Sequence, residues 1–108
     1  MSRQGPPKAF QDFADRFPRA AEAWTLLREE EQASGPADDK TRRLLKLAIA
    51  VGHQRPGSVH SAARKAKAAG LTLEEMEQVV ALSISTVGLP AGVAALGWIR
   101  EEWHGREP

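Results

Sequence analysis

The 108-residue chain contains no cysteine. That excludes disulfides, thiolate metal ligands and any thiol redox cycle, and it fits a cytoplasmic protein. A charge bias is lacking too: 15 Lys and Arg stand against 14 Asp and Glu, a net +1 with a pI near 8.2. No broad basic surface for nucleic acid is therefore expected. The opening "MSRQGPPKAFQDF" has no apolar core of the kind a signal peptide needs. There is no glycine-rich phosphate loop and no Gly-x-Ser-x-Gly elbow. Three histidines without an i, i+4 pair do not make a metal site, so neither a metal nor a cofactor is expected.

What is present is helical. Phe10, Phe13 and Phe17 recur at three and four residues and mark one face of a short first helix after Pro6-Pro7. Pro18 restarts the chain at an N1 position, and Ala20, Trp24 and Leu27 share one side of a second helix that Gly35-Pro36 ends. Asp38 or Asp39 caps a third helix, apolar over much of its circumference from Leu44 to Val51 and closed by Gly52. After "HQRPG", Ser58 is the expected N-cap of a fourth helix, with Gly70 at its C′ position. Thr72 and Glu75 form a capping box for a fifth, reaching about Thr86, and Pro90 opens a sixth that runs towards Trp103. The closing "HGREP" is expected to fray.

The run Val79–Ile99 holds 21 residues without a charge, long enough to span a bilayer. Gly88-Leu89-Pro90 falls in its middle, which predicts two buried helices meeting at a turn rather than a membrane span. So much uncharged surface on two contiguous helices points to burial against another subunit. The expectation is an all-α fold of about six helices in one domain, residues 1–108 with a core at about 10–103, assembling through its apolar C-terminal helices.

Three stretches, "FADRFPRAAEAW", "DDKTRRLLKLAIAVG" and "HSAARKAKAAGLTLEEMEQVVALSISTVGLPAGVAAL", together resemble the carboxymuconolactone decarboxylase family, which includes the alkylhydroperoxidase D-like proteins. The resemblance covers about residues 10 to 100 and lies in the order and spacing of its elements. It implies an all-helical subunit that assembles as a homotrimer or homohexamer. The redox branch of that family carries Cys-x-x-Cys at the start of the fourth helix, a His four residues after the second Cys and a Glu twelve before the first. Gapless alignment puts Arg55 and Ser58 at the two Cys positions, Ala62 at the His and Arg43 at the Glu. His60 lies two residues before the expected His, on another helix face. Peroxide reduction by that route needs a thiolate and a resolving thiol, and a serine oxygen cannot pass through a sulfenic state. Family-type peroxidase activity is excluded on that ground.

The start of the fourth helix nevertheless offers unpaired amides and a positive dipole end. If Arg55 and Arg43 converge there, a small carboxylate could be gripped by guanidinium, with His53 nearby, Ser58 donating a hydrogen bond and His60 as a base. The resemblance permits this, since the decarboxylase branch acts on a small anionic lactone without a thiol pair. Each residue also has a plainer role: Ser58 as a cap, Arg55 and Arg43 as surface or ion-paired charges, His53 as a helix C-terminal cation, His60 as a hydrogen-bonded helix histidine. Trp24, Trp98 and Trp103 serve core or interface packing, or wall an apolar ligand. Two functions follow: a non-redox acid/base enzyme or binder of a small anionic molecule, lyase-type if catalytic, or a catalytically silent structural or interaction oligomer.

Overall fold

The computed structural model describes residues 8–105; Pro6-Pro7 and the last three residues of "HGREP" lie outside them. Backbone contacts divide the chain into two compact units, Met1–Pro36 and Ala37–Pro108.

The first unit is a helical hairpin. Helix α1, Lys8–Arg16, and helix α2, Pro18–Ala33, are joined at Phe17, with Pro18 opening α2. The phenylalanine stripe forms as the spacing predicts, with ring centroids 6.4 Å apart for Phe10 and Phe13 and 5.3 Å for Phe13 and Phe17. Neither helix has a buried residue, and Trp24, read as core or interface packing or as a ligand wall, is 49% exposed.

The second unit holds the core. Helix α3 spans Asp39–His53, α4 Pro56–Ala68, α5 Leu73–Val87 and α6 Leu89–His104, and among the described residues there is no strand. Leu47, Val51, Val59, Ala63, Met76 and Ile99 pack at its centre, drawn from all four helices. Asp38 caps α3 by accepting from the Thr41 amide at 2.7 Å. The capping box forms in full: the Glu75 amide donates to Thr72 Oγ1 at 3.0 Å, and the Thr72 amide to Glu75 Oε1 at 2.8 Å.

Between α4 and α5 the chain turns with every amide engaged. Gly70, at φ +95°, lets its N–H reach the Lys67 carbonyl and that of Leu71 the Ala66 carbonyl, a Schellman closure. Ala69 donates to the Lys65 and Ala66 carbonyls, and Thr72 to Glu75.

Three boundaries depart from expectation. Gly52 does not close α3; the helix continues to His53, and Gln54 takes the left-handed cap at φ 62°. Ser58 is not an N-cap, because α4 begins at Pro56 and Ser58 sits in its first turn. Proline has no N–H to lose at N1 and fixes φ there, so it outcompetes a hydroxyl two residues on. Pro90 stands at the second position of α6, behind Leu89. The uncharged run does break at Gly88, φ +94°, and among the described residues no helix is long and apolar enough to cross a membrane.

Helix α3 is less central than its composition suggests: Leu47, Ala50 and Val51 are buried, but Ile49 is 67% exposed and Leu45 is open too.

Candidate functional site

The start of α4 is built by proline. Arg55, preceding Pro56, is held extended at φ −101°, ψ 126°, as steric conflict with the proline ring requires, and becomes the N-cap without a side-chain cap bond. Its side chain is exposed. Ser58 is half-buried in the first turn of α4.

His60 turns away from this opening and towards α6. Its Nδ1 lies 3.0 Å from a Glu102 carboxylate oxygen and its Nε2 3.3 Å from Glu101, with the side chain 12% exposed. Both ring nitrogens therefore face carboxylates 41 and 42 residues away in sequence. In the last turn of α4, Lys67 adds a second tie to α6: its Nζ donates to the Trp103 carbonyl at 2.6 Å and stands 4.9 Å above the indole.

Arg43 is half-buried in the second turn of α3, and His53 is exposed at its last position. The rise of a helix puts their backbones about 15 Å apart along α3. The aspartate partner that Arg43 could have taken goes to Arg42, which bonds the Ala37 carbonyl at 2.6 Å and Asp39 at 3.3 Å. The structure thus brings Arg55 and Ser58 to one helix start, directs His60 to an acidic pair on α6, and leaves Arg43 at the far end of α3.

A cavity does exist, and sequence reasoning missed it. A cleft of about 440 Å³ runs between α3 and α5 and holds none of these five residues. Its walls are Leu44, Leu45 and Ala48 on α3 and Val79, Leu82 and Val87 on α5. Gly52 lies at one end and Glu75 at the other; Gln78, Ser83 and Thr86 supply its remaining polar atoms. Ser83 bonds back to the Val80 carbonyl at 2.7 Å. Glu75 is doubly held, by Lys40 at 2.9 Å and by the Thr72 amide. The Lys40 ammonium first, then the Thr72 amide, holds its carboxyl below the usual carboxylate range. Asp38 is lowered likewise, by the amide and hydroxyl of Thr41. Leu82, on the lip of the cleft, is 72% exposed. The signal for this cleft lay in the surplus of apolar residues around α3, more than one buried stripe requires.

Among the described residues no group of three or more His, Asp or Glu is placed to hold a metal ion.

Comparison with known proteins decides the family. The model of the carboxymuconolactone decarboxylase family matches residues 18–101. The chain belongs to that family. It is a carboxymuconolactone decarboxylase family member that lacks the Cys-x-x-Cys pair, having no cysteine at all. Among solved structures, the apo form of lpg0406, a carboxymuconolactone decarboxylase family protein from Legionella pneumophila, is similar, with a TM-score of 0.79 and 21% identity over 89% of this chain and 86% of that one. At that identity the likeness shows the fold. No curated protein matches.

Proposed function

We propose that this chain is a catalytically silent, self-assembling member of its family, serving as a structural or interaction oligomer. One observation carries the reading: the cleft is apolar and lies on α3 and α5, while His60, the base expected from the sequence, has a carboxylate at each ring nitrogen. The large apolar side chains left exposed on α3, α5 and α6, among them Ile49, Leu82, Leu89 and Val93, support association. Light scattering coupled to size exclusion tests it. The expected mass is three or six times the 11.8 kDa chain; a monomer at all concentrations overturns the reading. With organic hydroperoxide and a dithiol, turnover stays at the buffer rate, since no sulfur nucleophile is present.

A second reading rests on a different observation. The first turn of α4 has no side-chain cap, so the amides of Gly57 and Ser58 are available to an anion beside Arg55. This supports a binder of a small carboxylate or lactone there. A thermal-shift screen of such molecules tests it: a ligand at a hundred times its Kd adds about 2.7 kcal/mol, and Arg55→Ala removes the shift. No shift with any of them eliminates this reading.

A further inference from the structure

The seam between α4 and the end of α6 sets an imidazole between two carboxylates. His60 meets Glu102 through Nδ1 at 3.0 Å and Glu101 through Nε2 at 3.3 Å. A neutral imidazole carries one hydrogen, and its other nitrogen offers a lone pair. Glu102 is the closer carboxylate and, at 20% exposed, the better shielded, so it accepts that hydrogen from Nδ1. Nε2 and a Glu101 oxygen then face each other as two electron-pair donors, an arrangement that calls for a cation between them.

The spacing suits a metal ion. Two ligand atoms held about 2.0–2.2 Å from one zinc-type ion, at the tetrahedral angle, stand about 3.3–3.6 Å apart. Nε2 and Glu101 Oε1 are separated by 3.3 Å. Glu102 sits where a metal-ligating histidine ordinarily finds the carboxylate that fixes its tautomer and its orientation. The His60 side chain is 12% exposed and held in place by its packing, whereas that of Glu101 is 60% exposed and leaves its side of the seam open to water. Spacing along one helix hid the pair, because its two halves come from α4 and α6.

We infer that His60 Nε2 and Glu101 together bind one divalent transition-metal ion of the zinc type, with Glu102 holding the ring. Among the described residues no group of three or more His, Asp or Glu is placed to hold an ion, so water fills the remaining positions. The site is therefore an open, exchangeable one and not a closed structural centre. Imidazole with carboxylate favours zinc, nickel or copper over magnesium and calcium. The ion replaces a clash of electron pairs with two bonds and pins the last turn of α6 to α4. The whole site lies within the second unit and holds whether or not copies of the chain associate.

Titration calorimetry of the tag-free chain with zinc chloride tests it. The expected result is one ion per chain and no heat with magnesium chloride. His60→Ala and Glu101→Ala should each abolish the heat; Glu101 is exposed, so its variant folds even if loss of the imidazole disturbs the seam. Glu102→Gln keeps an acceptor at Nδ1 but not the charge and should weaken binding by about tenfold. The double variant His53→Ala/His104→Ala, lacking the other two histidines, should bind zinc as the parent does. Zinc should also slow hydrogen exchange of the amides after Ile99 in the parent and not in Glu101→Ala. No heat from the parent means that His60 and Glu101 form only an ion pair and overturns the inference. So does binding that survives His60→Ala or Glu101→Ala, or that disappears in the double variant, since the ion then sits on other surface groups.

Discussion

Gly92 of α6 lies directly against Ile84 of α5: a Cβ added at position 92 would stand 2.8 Å from Ile84 Cγ1. Isoleucine is stiff at χ1, so its γ-carbon cannot swing aside cheaply. Replacing a helical glycine by alanine ordinarily stabilises by about 0.5–1 kcal/mol. Here the overpacking outweighs it, and Gly92→Ala should lower stability by about 1–3 kcal/mol. Gly97→Ala, on the same helix with nothing within 4 Å, should instead gain about 0.5–1 kcal/mol. Urea denaturation of both variants measures the pair; equal effects would mean α5 and α6 do not cross at Gly92.

His60 and Glu102 tie α4 to the end of α6. Removing the imidazole leaves a half-buried carboxylate without that partner, so His60→Ala should lower stability by about 1–2 kcal/mol. Amides of α6 after Ile99 should exchange faster in the variant. His60→Ala should leave unchanged any thermal shift caused by a carboxylate at the start of α4, because the ring faces α6. Loss of such a shift would return His60 to the ligand site.

Acid should weaken the fold through Asp38 and Glu75. Both carboxyls are held below their ordinary values of 3.8 and 4.5 by the bonds they accept. A depressed folded-state pKa means the unfolded chain binds protons first, so the stabilisation is full above those ordinary values and is lost as pH falls through and below them. Stability measured from pH 6 downward should therefore begin to drop near pH 4.5. Glu75→Gln keeps a capping side chain but cannot titrate, and Asp38→Asn likewise; together they should flatten the slope. An unchanged slope would place the acid sensitivity elsewhere.

Gln54 carries the left-handed conformation at the end of α3, at φ 62° and ψ 27°. Glycine adopts that region without the Cβ conflict, so Gln54→Gly should raise stability by up to about 1 kcal/mol. Thermal unfolding should show it as a rise of a few degrees. A fall would mean that the glutamine side chain makes a contact worth more than the strain.

The helices were legible where their signals are local. Thr72 and Glu75 are three residues apart, Asp38 and Thr41 likewise, and a cap needs nothing from the rest of the chain. Ser58 and Gly52 misled because each stood near a stronger competitor: Pro56 had already set the start of α4, and α3 ran on through Gly52 until Gln54 could turn. The role of His60 was out of reach from sequence, since its partners lie on a helix some 40 residues away. The cleft was legible only as a surplus of apolar residues around α3. An apolar helix reads as buried, and only the packing of α3 on α5 shows which of its leucines are left outside.

The four linking amides from Ala69 to Thr72, each already donating, make the joint between α4 and α5 as resistant to solvent as the helices it connects. Deuterium should enter it slowly, and the two helices should come apart only when the whole unit opens.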